Sequence, residues 1–238
     1  MPALVDLQKE IKYAANKPKA AILQRFFKTG PGDYGEGDIF LGITVPKQRE
    51  IAKKYVNKLE LPDVQKLLDS KIHENRLIAL TILVFKYENN KETLSREKIV
   101  KFYLKNTKNI NNWDLVDLSV YKILGEWLLI NQEKIVLLDK LAISKNLWER
   151  RIAMIATYAF IKKGEVKDAL RIAEQLLGDS HDLIHKAVGW MLREIGKRVS
   201  EPVLLKFLNT HKGKMSRTTL RYAIERLHRE QREYYLKN

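Results

Sequence analysis

The chain has 238 residues, with 44 Lys plus Arg against 29 Asp plus Glu, for a formal net charge of +15 and a pI near 9.7. It has no cysteine, which excludes a disulfide framework, a thiolate zinc site, an iron–sulfur cluster and a Cys nucleophile. Its longest mainly apolar run, Ile152 to Ile161, is short of the roughly 18–20 residues of a bilayer span, and Met1-Pro2-Ala3-Leu4-Val5-Asp6 has no basic n-region or apolar h-region.

These features predict a soluble, cytoplasmic protein with a polyanionic partner, nucleic acid ahead of acidic protein or a membrane surface. Five of the eleven glycines lie between Gly30 and Gly42, and the stretch from Gly30 to Asp38 is a loop by composition. Gly30, Gly32 and Gly35 spell G-x-G-x-x-G, but no strand precedes them. Asp33, Glu36 and Asp38 would repel a phosphate, so the stretch reads as a turn-rich connector between the first helices. After Pro62 the next proline is Pro202, which permits a long run of packed helices. Apolar residues recur at helical spacing at Ile78, Ile82 and Phe85, then at Val116, Val120, Ile123 and Trp127, then at Ile152, Ile155 and Ala159. No stretch alternates with period 2, so an all-α fold is predicted.

Two stretches carry candidate chemistry. In Asn111-Asn112-Trp113-Asp114-Leu115-Val116-Asp117, Asn112 is placed to cap the following helix and Asp114 sits in its first turn, a structural role. Trp113 and Asp117, four residues apart, lie on one face about 40° apart, with Asp117 beside the core stripe of Val116, Val120 and Ile123. Around residues 184–199, Ile184, Val188, Met191, Ile195 and Val199 form a core stripe, and Lys186, Trp190, Arg193 and Lys197 form a second arc opposite. Two readings of Trp190 are open: packing on a neighbouring repeat under Lys and Arg stems, or an aromatic platform in a cationic groove beside a phosphate backbone. The histidines (73, 181, 185, 211 and 228) show no zinc-ligand spacing, so no metal site is predicted, and without a Gly-x-Ser-x-Gly elbow Ser-hydrolase chemistry is unsupported. From Lys186 to Lys237 there are thirteen Lys or Arg and five Glu, +8 of the total +15.

Small residues at 79, 119, 153, 187 and 223 share a local pattern at spacings of 40, 34, 34 and 36. Helix-pair solenoids of HEAT type recur at roughly 35–47 residues. The prediction is therefore one domain over residues 1–238, a curved solenoid of antiparallel HEAT-like repeats with a concave basic groove. In this register Asp117, Arg151 and His185 are equivalent. Asp117 and Arg151 then form either an ion pair that fixes two repeats or, for Asp117, a carboxylate that meets a cationic substrate.

Phe40-Leu41-Gly42-Ile43 with Pro46 and Arg49, Asn112 to Asp117, Trp148-Glu149-Arg150-Arg151-Ile152-Ala153 and Lys186 to Glu194 give the chain a family likeness over most of its length. It resembles the AlkD-type alkylpurine DNA glycosylases, bacterial and archaeal proteins built from HEAT-like repeats. The resemblance implies hydrolysis of the N-glycosidic bond of cationic N3- or N7-alkylpurines in double-stranded DNA, without base flipping. It implies Asp117 as the catalytic carboxylate, Trp113 and Trp190 as aromatics on the lesion's deoxyribose, and Arg151 near the phosphate backbone. Arg193 is a further backbone contact on this reading, Lys186 and Lys197 of the cationic arc around Trp190 are the remaining DNA-contact candidates, and the protein is expected to act as a monomer without metal or cofactor. The alternatives are a non-catalytic HEAT-repeat protein that recognises bent or branched DNA and a scaffold that binds acidic protein.

Overall fold

The computed structural model describes residues 2–237. Among them the regular structure is helical, without a β-strand; one parallel bridge pairs Ile39 with Ile72. The all-α expectation holds. No helix among the described residues is long and apolar enough to cross a membrane. The chain divides into two compact units, one ending at Ser119 and the other beginning at Val120.

The first unit contains α1 (Pro2–Tyr13), α2 (Lys17–Phe26), α3 (Val45–Tyr55), α4 (Leu61–Leu68), α5 (His73–Asn89), α6 (Thr93–Lys105) and most of α7 (Trp113–Val120). Its centre is α5, buried continuously from His73 to Val84 and packed by α3 and α4. The first turn of α5 is polar, so its groups need partners on removal from water. Glu74, fully buried, accepts from the backbone N–H groups of Leu41, Gly42 and Ile43 at 2.8–3.3 Å. Gly42 has φ +81°, where an L side chain is strained, and a Cβ there would run into the backbone of Asn16 and Ala20. Phe40-Leu41-Gly42-Ile43 is thus a turn that clasps the start of α5.

The second unit opens with a π-helical stretch, Tyr121–Gly125. It continues through α8 (Glu126–Ile130), α9 (Val136–Ala142), α10 (Leu147–Ala156), α11 (Tyr158–Lys162), α12 (Lys167–Leu176), α13 (Asp182–Arg198), α14 (Glu201–His211), α15 (Arg217–Ala223) and α16 (Arg229–Lys237). Side-chain caps start several of these helices: Asn146 accepts from the N–H of Trp148, Ser200 from Val203 and Ser216 from Thr219. The central helix, α13, packs against α10, α12, α14 and, most extensively, α15. Ile184, Val188, Met191 and Ile195 are fully buried, as their spacing predicts, and Val199 is half-buried at the helix end.

The small residues of the repeat register, Ala79, Ser119, Ala153, Ala187 and Ala223, are all buried. A second repeated device accompanies them. Arg76, three residues before Ala79, donates to the carbonyl of Ser70 at 2.8 Å, and Arg150, three before Ala153, donates to the carbonyl of Ser144 at 3.0 Å. Each arginine closes the loop before its own helix and also binds a carboxylate, Asp38 at 2.7 Å and Asp179 at 2.6 Å respectively.

Close packing of α13 on α15 depends on Gly189, where a Cβ would lie 2.5 Å from the Cβ of Tyr222 and 2.6 Å from the carbonyl oxygen of Thr219. Gly189→Ala is therefore expected to destabilise the protein by about 1–3 kcal/mol in denaturant unfolding. Gly178→Ala, at a position with open space around it, should stay within about 0.5 kcal/mol of wild type. Equal stability of the two variants would refute the close-packing account.

Candidate functional site

In the first unit the site is built around Trp113, the first residue of α7. Its indole stacks on Phe27, with ring centroids 5.3 Å apart and planes 14° apart, and Phe26 meets it edge-on at 6.2 Å. The indole N–H donates to the Tyr34 hydroxyl at 3.3 Å. Phe27 in turn stacks on Phe40 at 4.8 Å, and Phe40 stacks on the His73 imidazole at 4.5 Å. Trp113 thus ends a column of aromatic rings that reaches down to the start of α5. Offset stacked pairs of this kind add about 0.5–1.5 kcal/mol each beyond area burial.

The glycine-rich stretch forms one wall of this column. Gln24 ties it to α2: its side-chain amide donates to the Asp38 carbonyl at 2.6 Å and its carbonyl accepts from the N–H of Phe40 at 3.2 Å. A Cβ on Gly35 would strike the carbonyl of Phe27, and Glu36 accepts from the backbone N–H of Gly32 at 2.9 Å. Glu36 and the glycines therefore serve the loop's own folding, in line with the reading of a turn-rich connector.

Beneath the rings lies a buried charge cluster. His73 is bonded through Nδ1 to Asp38 at 3.3 Å and through Nε2 to Asp114 at 2.8 Å. Asp38 also pairs with Arg76 and accepts from the side-chain amide of Asn112 at 3.4 Å. Burial alone would lower the pKa of His73, but the bonds to Asp114 and Asp38 outweigh it and raise the pKa from 6.5 to about 8. Burial would likewise raise Asp38, yet His73 and Arg76 hold its carboxyl below the usual range. Asp114 is structural, as its place in the first turn suggests, but its partner is the histidine of another helix. Asn112 accepts from the N–H of Trp113 at 2.8 Å while its amide reaches Asp38.

Asp117 lies one turn beyond Trp113 and is half-buried. Behind it, the Tyr103 hydroxyl and Ser119 Oγ are 3.0 Å apart, and Ser119 Oγ donates to the Leu115 carbonyl at 2.6 Å. Burial pushes the Tyr103 hydroxyl above its ordinary pKa, and the negative charge of Asp117 adds to the shift.

In the second unit Trp190 is half-buried on α13, tilted 38° against Tyr158 at 6.0 Å, and Tyr158 meets Tyr121 edge-on at 5.2 Å. The cations of this row lie over the tyrosines: Arg198 over Tyr158 and Lys162 over Tyr121, both at 5.5 Å. Arg198 is held by the buried Glu194 at 2.5 Å. Lys186 pairs with Asp182 at 2.8 Å, and Arg193 pairs with Glu225. Arg151 is 4% exposed and donates to the carbonyl of Leu183 at 2.5 Å. Lys197 is exposed near the end of α13. The structure thus commits several of the expected DNA-binding cations to partners inside the protein. Sequence reasoning did not bring Phe26, Phe27, Tyr34, Asp38 or His73 to this site, and it named Phe40 only for the family likeness. The available signals were the Phe26-Phe27 pair beside the glycine-rich loop and a His73-Glu74 start to an otherwise apolar helix.

A family model described as DNA alkylation repair enzyme matches residues 7–227. Solved structures that share the fold include these three. A predicted DNA alkylation repair enzyme from Enterococcus faecalis is 18% identical with a TM-score of 0.73, covering 90% of this chain and 97% of its own. AlkD2 from Streptococcus mutans is 17% identical with a TM-score of 0.56, covering 88% and 98%. The smu.31 protein of Streptococcus mutans UA159 is 18% identical with a TM-score of 0.54, covering 87% and 95%. No curated protein matches by sequence.

The charge cluster has a consequence for stability. His73 has its pKa raised in the fold, so its contribution is complete below about pH 6.5 and is lost as pH rises through about 8. The difference corresponds to about 2 kcal/mol. Unfolding free energy from denaturant titrations should fall by about that amount between pH 6.5 and 9, and the decline should be absent in His73→Gln. A decline of the same size in that variant would assign the effect elsewhere.

Proposed function

Because the chain belongs to the DNA alkylation repair enzyme family, we propose that it is a monofunctional DNA glycosylase. It hydrolyses the N-glycosidic bond of cationic N3- or N7-alkylpurines in double-stranded DNA, without flipping the base out of the stack. The observation that carries this reading is one short helix, with Trp113 held by Phe27 and Tyr34 at its start and the Asp117 carboxylate one turn on.

The chemistry needs little beyond these groups. An alkylated purine carries a positive charge, so the bond between the sugar C1′ and the base nitrogen breaks with both electrons moving to the base. The base leaves neutral, and no general acid is required. The sugar is left as an oxocarbenium ion, whose charge Asp117 stabilises; at about 4 Å and an effective dielectric near 20, such a pair is worth about 4 kcal/mol. The face of an indole adds about 1–2 kcal/mol to a desolvated cation. Water adds at C1′ and passes its proton to Asp117 or solvent, leaving free base and an abasic sugar.

Trp190 serves as a second aromatic contact to DNA, and Lys186, Lys197 and Arg193 as contacts to the phosphate backbone. Arg151 acts from a fixed, buried position. The protein works as one HEAT-like domain, as a monomer and without a cofactor.

Incubation with duplex DNA carrying a single N7-methylguanine is expected to release the base, and Asp117→Asn should slow single-turnover release about 10²-fold or more. Release no faster than the spontaneous rate would reject the glycosylase in favour of a non-catalytic binder of bent or branched DNA. Equal rates for wild type and Asp117→Asn would remove Asp117 from catalysis. Duplex affinity should lose about 0.9 log unit per log unit of salt for each phosphate contacted; an affinity flat in salt would exclude backbone binding.

A further inference from the structure

His73 has carboxylates at both ring nitrogens, Asp38 at 3.3 Å and Asp114 at 2.8 Å. A neutral imidazole donates from one nitrogen and presents a lone pair at the other, which here would face an acceptor-only carboxylate. The geometry therefore specifies an imidazolium. Its two partners come from different elements: Asp38 ends the glycine-rich loop and Asp114 is the second residue of α7. The face of Phe40 stacks on its ring at 4.5 Å, where a cation is attracted to the aromatic quadrupole, and the Phe27 ring lies tilted against it at 5.2 Å. Arg76, on the same helix as His73, pairs with Asp38, and Glu36, Asp69, Lys71 and Lys108 line the cavity that Asp38 and Arg76 share.

We infer that His73 is a positioning residue for Trp113. As an imidazolium bonded at both nitrogens it holds the glycine-rich loop and the first turn of α7 together, and so fixes the plane in which the indole meets DNA. Loss of the proton sets a lone pair against either Asp38 or Asp114, frees one of the two elements and loosens the ring column whose end is Trp113. The inference rests on the reading above in that Trp113 is taken to contact the substrate. The proton leaves for solvent and no other group changes its charge in the step.

The test uses full-length protein carrying 5-fluorotryptophan, with the Trp113 resonance assigned by its loss in Trp113→Phe. The ¹⁹F signal of Trp113 should move in one step between pH 6 and 9.5 with a midpoint near 8, the raised value for His73. The step should vanish in His73→Gln, and its midpoint should move to lower pH in Asp114→Asn, which keeps the shape of the side chain and removes its charge. A Trp113 signal that does not move over this range, or a step that survives in His73→Gln, overturns the inference. Should His73→Gln fail to fold, Asp114→Asn decides: an unmoved midpoint overturns it. Single-turnover release of N7-methylguanine from duplex DNA should follow the protonated fraction of His73 and fall about tenfold from pH 7 to pH 9, with its midpoint shifted alongside the ¹⁹F step in Asp114→Asn. Absence of base release at every pH rejects the glycosylase reading, while the ¹⁹F step by itself judges the role of His73.

Discussion

The first unit depends on one constraint, the burial of a charged helix start. His73, Glu74, Asn75 and Arg76 begin α5 beneath the rest of the unit, and groups with that much charge are tolerated in the interior only when each is paired or hydrogen-bonded. Their needs dictate the chain around them. Glu74 requires a turn that offers successive N–H groups, which Leu41-Gly42-Ile43 supplies. Arg76 requires the Ser70 carbonyl and Asp38. His73 requires two carboxylates, so the glycine-rich loop must return to deliver Asp38 and α7 must begin where Asp114 can reach. The orientation of Trp113 follows, because Trp113 precedes Asp114 and stacks on the rings that lie over His73.

This is also where sequence reading runs short. The stripes Ile184–Val188–Met191–Ile195 and Val116–Val120–Ile123 are legible because one face of each helix is apolar and the period shows it. Along α5 nearly every residue is buried, so the period carries less information there than along α13. The support of Trp113 is less legible still. Phe27 and Tyr34, which touch the indole, and Asp38 and Phe40 behind them precede Trp113 by 73 to 86 positions, in or beside a loop whose composition suggests only turns. The candidate residues themselves were readable, since Trp113 and Asp117 share a face at helical spacing. What holds them in place was not.

The cations make the complementary point. Helix face selects Lys186 and Arg193 as backbone contacts, and the family resemblance adds Arg151, yet Asp182, Glu225 and the Leu183 carbonyl engage them within the protein. Pairing is a property of neighbours brought close by folding, and net charge is blind to it. A partly exposed pair such as Lys186–Asp182 costs little to open, so that lysine can exchange its carboxylate for a phosphate. Arg151 is different: leaving its carbonyl partner would uncover a buried acceptor.

The two tryptophans show one device built twice from different parts. Each ring leans on a neighbouring ring, Phe27 for Trp113 and Tyr158 for Trp190, and in each row a cation sits against a ring further back, His73 on Phe40 and Arg198 on Tyr158. A cation behind an aromatic row would by itself oppose the approach of a second cation from the front, such as an alkylpurine or its sugar ion. In both rows the cation is matched by acid, His73 by Asp38 and Asp114, and Arg198 by the buried Glu194. The matching carboxylates let the cation orient the rings through short-range contact while its longer-range field is largely cancelled. The directional bonds set the plane of each ring and the paired charge cancels the field, whereas a neutral hydrophobic support would supply the second without the first.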